Sequence, residues 1–416
     1  MILYYIAITL FIISMALFVY IKIRYPFWNI QPVYHTYDYW RRIYKEPFVV
    51  YKFRPVKTKF CDFIQVQTKS YLDCSATDIT NIVDLLQCYY LPSDRILHTI
   101  TKDDVNAMMT GQFSSTYVSF YLETYFTKSA DIHNDVSTSI VRSEKPIACL
   151  LSRPVKFWYR PTLQEESYTE QTIYFMDYLS VQRDSNVKKV SRSLLQTHEY
   201  EQRKQNPDVL VSLIKKEIDL FDGVIPLVEY KTETYYLRNI HFPALPPHHQ
   251  IVRVYKENLE ILTDFIYLLT QIDNNEMFKI CIMPETGSIM AQIKQPLLYV
   301  YALRRGEHTL GIYFFKDMKT QYEDIEGNTL QLYASAMNMK NESLFYLGYL
   351  HSIQNIIKQN KSYKMLLLEN IGHNRIISSE WQKKHTPIFS NKTAYYLFNM
   401  VFPCSPIVNN ACFILV

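Results

Sequence analysis

The sequence predicts an α/β (α+β) protein, two similar halves in tandem behind one transmembrane helix. Three observations predict it. A charge-free apolar run opens the chain, helical and extended patterns alternate beyond residue 24, and the second half repeats that alternation. With 416 residues the chain exceeds one ordinary core, so two domains or one large pseudo-duplicated domain is expected. The expected units are an anchor at 1–23, a first half at 24–225 and a second half at 226–416.

The opening run, residues 1–21, carries no charge and just spans a hydrocarbon core as a helix. Lys22 and Arg24 follow it at once and no basic residue precedes it, so the positive-inside rule expects the bulk of the chain in the cytoplasm. Neither the basic start nor the small-residue cleavage site of a secretory signal is clear. The competing reading, a buried N-terminal helix, fits poorly with a run that is apolar on all faces.

In the first half, 75–91 reads as a helix. Ile79, Ile82, Val83 and Leu86 share a face, and Ser75 with Asp78 forms a capping-box pattern. Extended segments follow at 116–123, 146–159 and 171–181. A polar loop at 182–189 leads to a helix at 190–202 and a strand at 208–214. The Pro- and His-rich stretch 241–250 reads as a surface connector. The second half then gives a helix at 255–272 and strands at 278–284, 295–305, 309–318 and 330–338. An amphipathic helix at 342–360 follows, with strands at 363–371 and 394–402.

Composition excludes several function classes. The 8 glycines are never closer than Gly306 and Gly311, so no glycine-rich phosphate cradle exists and kinases, P-loop NTPases and Rossmann dehydrogenases are unlikely. A net charge of +4 without a long basic run leaves no nucleic-acid footprint. Seven scattered cysteines without a CxxC fit a reducing compartment, and eleven histidines without an HExxH leave a metal site improbable. Heavy Tyr, Ile, Asn and Lys usage suggests an AT-rich genome, such as that of a parasite or a large DNA virus.

Three patches carry chemistry. The first is Tyr25-x-Phe27-Trp28-x-x-Gln31-Pro32-Val33, which also has the look of a juxtamembrane aromatic belt. It resembles the Y-x-F-W-x-T-Q-P-V signature that opens the catalytic domain of the eukaryotic N-myristoyltransferases, with Ile30 in place of Thr. The second patch runs from Asp177-Tyr178-Leu179-Ser180-Val181 through the polar loop to Lys188-Lys189-Val190-Ser191-Arg192. A strand–loop–helix turn of this kind is a natural anion site, because free backbone N–H groups and the helix dipole face the ligand. It resembles the family's N-F-L-C-V-H-K-K-L-R-S-K-R-L-A-P, with Asp184 and Asn186 where the family is basic. The third patch, 393–416, resembles the family's terminal L-Q-Y-Y-L-Y-N string through Tyr395-Tyr396-Leu397-Phe398-Asn399. Phe389-Ser390-Asn391 stands where the family has Gly-Asp-Gly. Weaker likenesses lie at 311–318 and 333–338.

The resemblance implies two acetyltransferase-like (GNAT-like) halves related by a pseudo-twofold axis. It implies transfer of a myristoyl or similar long acyl group from acyl-CoA to the amine of an N-terminal glycine on a protein. Acyl-CoA would be substrate, with no permanently bound cofactor. Tyr25, Phe27, Trp28, Val181, Lys188, Lys189, Val190 and Ser191 would hold it. The backbone N–H groups of Tyr178 and Leu179 would form the oxyanion hole. The carboxylate at Val416 would be the base, and Phe314, Phe315, Tyr395 and Asn399 would line the peptide site. Expected partners are acyl-CoA, N-terminal-glycine proteins and membrane lipid through 1–23, around a monomer with no metal and no nucleic acid. The alternatives are a catalytically inactive membrane-tethered binding module and an acyltransferase with a different amine acceptor.

Overall fold

The computed structural model describes residues 1–91, 93, 95–130, 138–160, 168–270 and 278–416, with backbone alone at 127–130 and 138–142. The expected helix at 255–272 therefore runs two residues past the described part. Within it, a short 3-10 turn at Lys256–Asn258 precedes the α-helix Glu260–Thr270.

The helix Ile2–Arg24 buries none of its residues in the protein. It is the one described helix long and apolar enough to cross a membrane. The Thr9 and Ser14 hydroxyls donate to the carbonyls four residues back, each at 2.8 Å.

Beyond this helix, the second half repeats the first element by element. The first half runs helix Ala76–Tyr89, strand Ile96–His98, helix Lys102–Met109, antiparallel strands Tyr117–Ala130, Thr138–Tyr159 and Thr169–Val181, helix Val187–Gln205, strand Ser212–Glu217. The second runs helix Glu260–Thr270, strand Ile280–Met283, helix Thr286–Lys294, strands Leu298–Arg305, His308–Tyr322 and Ile325–Met337, helix Glu342–Gln359, strand Tyr363–Glu369. In each half the strand after the last helix pairs parallel with the strand before it. A helical crossover is what makes a parallel neighbour possible.

The halves also exchange strands. Ile96–His98 of the first pairs with His308–Tyr322 of the second, and Ile280–Met283 of the second pairs with Thr138–Tyr159 of the first. Phe389–Phe398 and Val228–Tyr236 bridge the centre between Ser212–Glu217 and Tyr363–Glu369, so strands of both halves form one continuous sheet, while Phe48–Val49 and Met400–Val401 pair as a separate two-stranded one. Cys412–Ile414 adds in parallel to Ile280–Met283 and buries the chain's last residues. This is the pseudo-twofold α/β arrangement the sequence predicts.

Local signals explain the ends of the elements. Ser75 and Asp78 form the expected capping box, and Thr101 with Asp104 forms a second one. The helix expected from 190 begins at Val187, because the Asn186 side chain caps it by accepting from the Lys189 N–H at 3.1 Å. The expected strand 394–402 is broken at Asn399, whose φ of 67° is left-handed.

Candidate functional site

The site is built around a break in the strand Thr169–Val181. Along Thr169–Val181, Ser180 pairs with Cys149 and Asp177 pairs with Leu151, so Tyr178 and Leu179 both stand opposite Leu150. This is a β-bulge, which disrupts the ladder locally and re-aims the groups at the break. Tyr178 has φ 58°, a conformation that costs a non-glycine residue on the order of 1 kcal/mol or more. Packing holds it there. The ring lies 4.9 Å from Tyr90, and the hydroxyl donates to the Met108 sulfur at 3.0 Å. The Tyr178 N–H donates to Oδ1 of Asp177 at 2.8 Å, and Leu179 is partly exposed.

The opening segment packs against this break. Phe27, Val33, Val181, Val190 and Leu194 share one buried cluster, with Trp28 at its edge. Phe27 meets Trp28 and Phe60 edge-on, both at 5.0 Å, and the Arg192 guanidinium lies 5.6 Å from its ring. Trp28 rests on Phe221 at 4.4 Å. Tyr25 stacks on Tyr37 at 5.9 Å and lies against Gly223, where a side chain would strike its ring. Gln31 is buried, and neither polar atom of its carboxamide has a hydrogen-bond partner in the protein. So the first two sequence patches, about 150 residues apart, meet in space. Lys188 and Lys189 project into solvent in the first turn of the helix, and Ser191 is half-buried behind them.

On the inner side of the bulge lies a group of buried charges. Arg153 is buried, 4.0 Å from Asp177, and its Nε has no partner. Lys215 pairs with Glu369 at 2.6 Å and Glu217 at 2.8 Å, and the Tyr230 hydroxyl donates to Glu369 at 3.1 Å. Burial works to lower the Lys215 pKa, but Glu217 and Glu369 outweigh it and hold the ammonium charged. Lys316 is pushed down to about 8, chiefly by burial and then by the Arg153 charge. His98, next to Tyr178, is pushed down to about 4 by burial, so it is a neutral imidazole at neutral pH.

The remaining predicted residues take mixed positions. Val416 is buried in one cluster with Tyr230, Tyr395 and Phe175, the last of which is two residues along its strand from Asp177. Tyr395 stacks on Tyr230 at 5.9 Å with its hydroxyl unpartnered. Asn399 is fully engaged elsewhere. Its carboxamide donates to the carbonyls of Tyr51 and Leu210 and accepts from the Tyr51 N–H. Phe314 and Phe315 are both core residues. Phe314 packs on Phe413, and Phe315 stacks on Tyr349 under the helix Glu342–Gln359. Sequence reasoning missed Arg153, Lys215, Lys316 and Glu369. The available signal was a charge interrupting an apolar strand, as in "CLLSRPVKF" and "IYFFKDM".

A second bulge mirrors the first. Phe314 pairs with Ala334 and Phe315 with Leu332, which leaves Tyr333 as the extra residue at the matching place in the second half. Burial, and then the Asp177 charge, push the Tyr178 hydroxyl well above its usual range, with Tyr333 a smaller cause in the same direction.

No family model and no curated protein sequence matches the chain. Solved structures do. A Saccharomyces cerevisiae N-myristoyltransferase with bound myristoyl-CoA superimposes with a TM-score of 0.65 at 13% identity, covering 92% of this chain and 89% of that one. The same enzyme with bound myristoyl-CoA and inhibitors gives 0.66 at 13% identity, over 92% and 91% of the two chains. Across 92% of its length the chain has the N-myristoyltransferase fold.

Proposed function

We propose that the chain transfers a long acyl group, myristoyl in the first instance, from acyl-CoA to the amine of an N-terminal glycine. One observation carries the reading. The two residues singled out for the oxyanion hole by a string resemblance are the two that the backbone places in a β-bulge, with the Tyr25–Val33 segment packed beside it. In this reading residues 24–225 hold acyl-CoA and 226–416 the acceptor. Phe27 and Trp28 wall the acyl-CoA, Gln31 offers its unpartnered carboxamide to polar atoms of the ligand, and Lys188 and Lys189 take the phosphates at the helix N-terminus.

The chemistry follows. The carboxylate at Val416 takes one proton from the glycine ammonium, whose free pKa is about 7.7–8.0. The amine attacks the thioester carbon, and the Tyr178 and Leu179 N–H groups stabilise the oxyanion. The C–S bond breaks, and the second amine proton leaves with the CoA thiolate. Amide and free CoA result, with no covalent enzyme intermediate.

The anchor fits this role. A single myristoyl chain binds membranes only marginally, so product made at the surface is captured there. The segment just beyond the anchor exposes Tyr39, Trp40, Ile43 and Tyr44 beside Arg41 and Arg42, a composition suited to an anionic bilayer interface. We place the chain as a single-pass membrane protein and a monomer, with its bulk cytoplasmic.

A second reading is a membrane-tethered module that binds without transfer. Asp177 favours it, since its carboxylate holds the Tyr178 N–H where an oxyanion would form. The test is CoA release by the full-length protein in detergent with myristoyl-CoA and a glycine-initiated peptide. Turnover that needs glycine and ends when one residue is added after Val416 supports transfer and the carboxylate base. Acyl-CoA binding without turnover supports the module.

A further inference from the structure

We propose that Lys316 and Arg153 form a carboxylate-binding subsite beside the bulge, and that the acceptor presents an anionic group next to its attacking amine. The proposal deepens the acyl-transfer reading and rests on it for the identity of the ligand as acceptor. Anion binding itself needs no turnover.

Lys316 stands in the middle of the strand His308–Tyr322 and is 9% exposed. Among the described residues it has no ion pair and no hydrogen bond. Its ammonium lies 4.7 Å over the ring of Tyr333, the bulge residue of the second half. Arg153 is 3% exposed, its Nε is without a partner, and its closest carboxylate is at 4.0 Å. The nearby carboxylates are committed elsewhere. Glu369 and Glu217 grip Lys215, and Asp177 accepts from the Tyr178 N–H. The Arg153 charge disfavours the charged form of Lys316. A buried cation without a paired anion is costly, and an anion that arrives with the ligand relieves both charges at once.

Charge counting sets the class of ligand. Arg153, Lys215 and Lys316 supply three positive charges. Glu369 is buried and Asp177 is largely so, while Glu217 is half exposed and screened by solvent. With the carboxylate at Val416 as base, the interior is balanced. A ligand bearing both an ammonium and a carboxylate keeps it balanced, whereas a purely cationic peptide end adds an uncompensated charge. The subsite therefore takes a monoanionic carboxylate. It belongs either to an acidic residue directly after the glycine or to the α-carbon of a free amino acid. The unpartnered Tyr395 hydroxyl, in the same cluster as Val416, is a further donor for it.

The test is calorimetric binding to the full-length protein in detergent, saturated with a non-transferable acyl-CoA thioether. The probes are a Gly-Asp-initiated peptide amide, its Gly-Asn counterpart and free glycine. The expected result is Gly-Asp binding about tenfold more tightly than Gly-Asn, a preference that Lys316→Met abolishes and Lys316→Arg retains. Displacement of the Gly-Asn peptide by free glycine assigns the subsite to an amino acid's own carboxylate, and no displacement assigns it to the acidic second residue. Equal binding of the two peptides without glycine binding overturns the proposal. So does a preference untouched by Lys316→Met, which would make Lys316 the partner of the Val416 carboxylate. CoA release is measured on the same samples. Its absence alongside an intact anion preference sinks the transferase reading and leaves the subsite standing.

Discussion

In the proposed reaction the Tyr178 amide would face the thioester oxygen, yet it donates to Asp177, which would set a carboxylate where negative charge develops. Asp177→Asn keeps the acceptor oxygen and removes the charge. The expected outcome is CoA release faster by about tenfold, read as kcat with saturating acyl-CoA, and an equal or slower rate contradicts the assigned role. Lys316 supplies a stability test. Burial pushes its folded pKa down to about 8 from the ordinary 10.5, so between those values the unfolded chain binds more protons and stability rises with pH. The cost of charging it is therefore full below pH 8 and relieved as pH climbs toward 10.5. Lys316→Met is expected to stabilise the fold by about 1–3 kcal/mol at pH 7, with the gain fading near pH 10 in urea titrations. At this scale the sequence was legible only where a string carried the information. A string resemblance singled out Tyr178 and Leu179, which the backbone places at the bulge, whereas Arg153 and Lys316 interrupt apolar strands and no string marks them.

Helices with strong caps and a clear apolar face were legible, and Ala76–Tyr89 appears within two residues of its expected ends. Ser75→Ala is expected to cost about 1 kcal/mol in chemical denaturation, because it leaves the Asp78 N–H without its cap. Short helices escaped. Lys102–Met109, Thr286–Lys294 and Asn374–Gln382 span eight or nine residues each, too few turns for a period to emerge. Two of them matter for how the halves meet. Just beyond Lys102–Met109, the backbone of Gly111 lies directly against Gly287 in the first turn of Thr286–Lys294, with no room for a Cβ on either. The obstruction is backbone, which cannot swing aside. Gly287→Ala is expected to destabilise by about 2–3 kcal/mol, while Gly306→Ala, facing open space at φ 60°, costs only its backbone strain of about 1 kcal/mol.

The repeated order of elements was legible from periodicity alone, but the exchange of Ile96–His98 and Ile280–Met283 between halves was not. Such pairing joins residues some 120 to 220 positions apart, and no local pattern records it. Its consequence is that neither half completes its own sheet. Fragments 24–225 and 226–416 expressed apart are expected to remain insoluble or unfolded by circular dichroism, and a cooperative melt of either alone contradicts the exchange. The buried histidines set the acid limit of the whole molecule. Burial pushes His98 down to about 4 and His198 to about 3, from 6.5. Below pH 6.5 the unfolded chain takes up protons that the folded chain refuses. Their contribution is thus complete above pH 6.5 and is lost as pH falls toward 4 and then 3, a change on the order of several kcal/mol in pH-dependent unfolding. The central claim is acyl transfer to a glycine amine at the bulge. The measurement that tests it most directly is the intact mass of a glycine-initiated peptide and its alanine-initiated twin after incubation with myristoyl-CoA and the full-length protein. The account predicts one acyl group on the α-amine of the glycine peptide and none on the alanine peptide. Two unmodified peptides, with the protein folded and acyl-CoA bound, would contradict it.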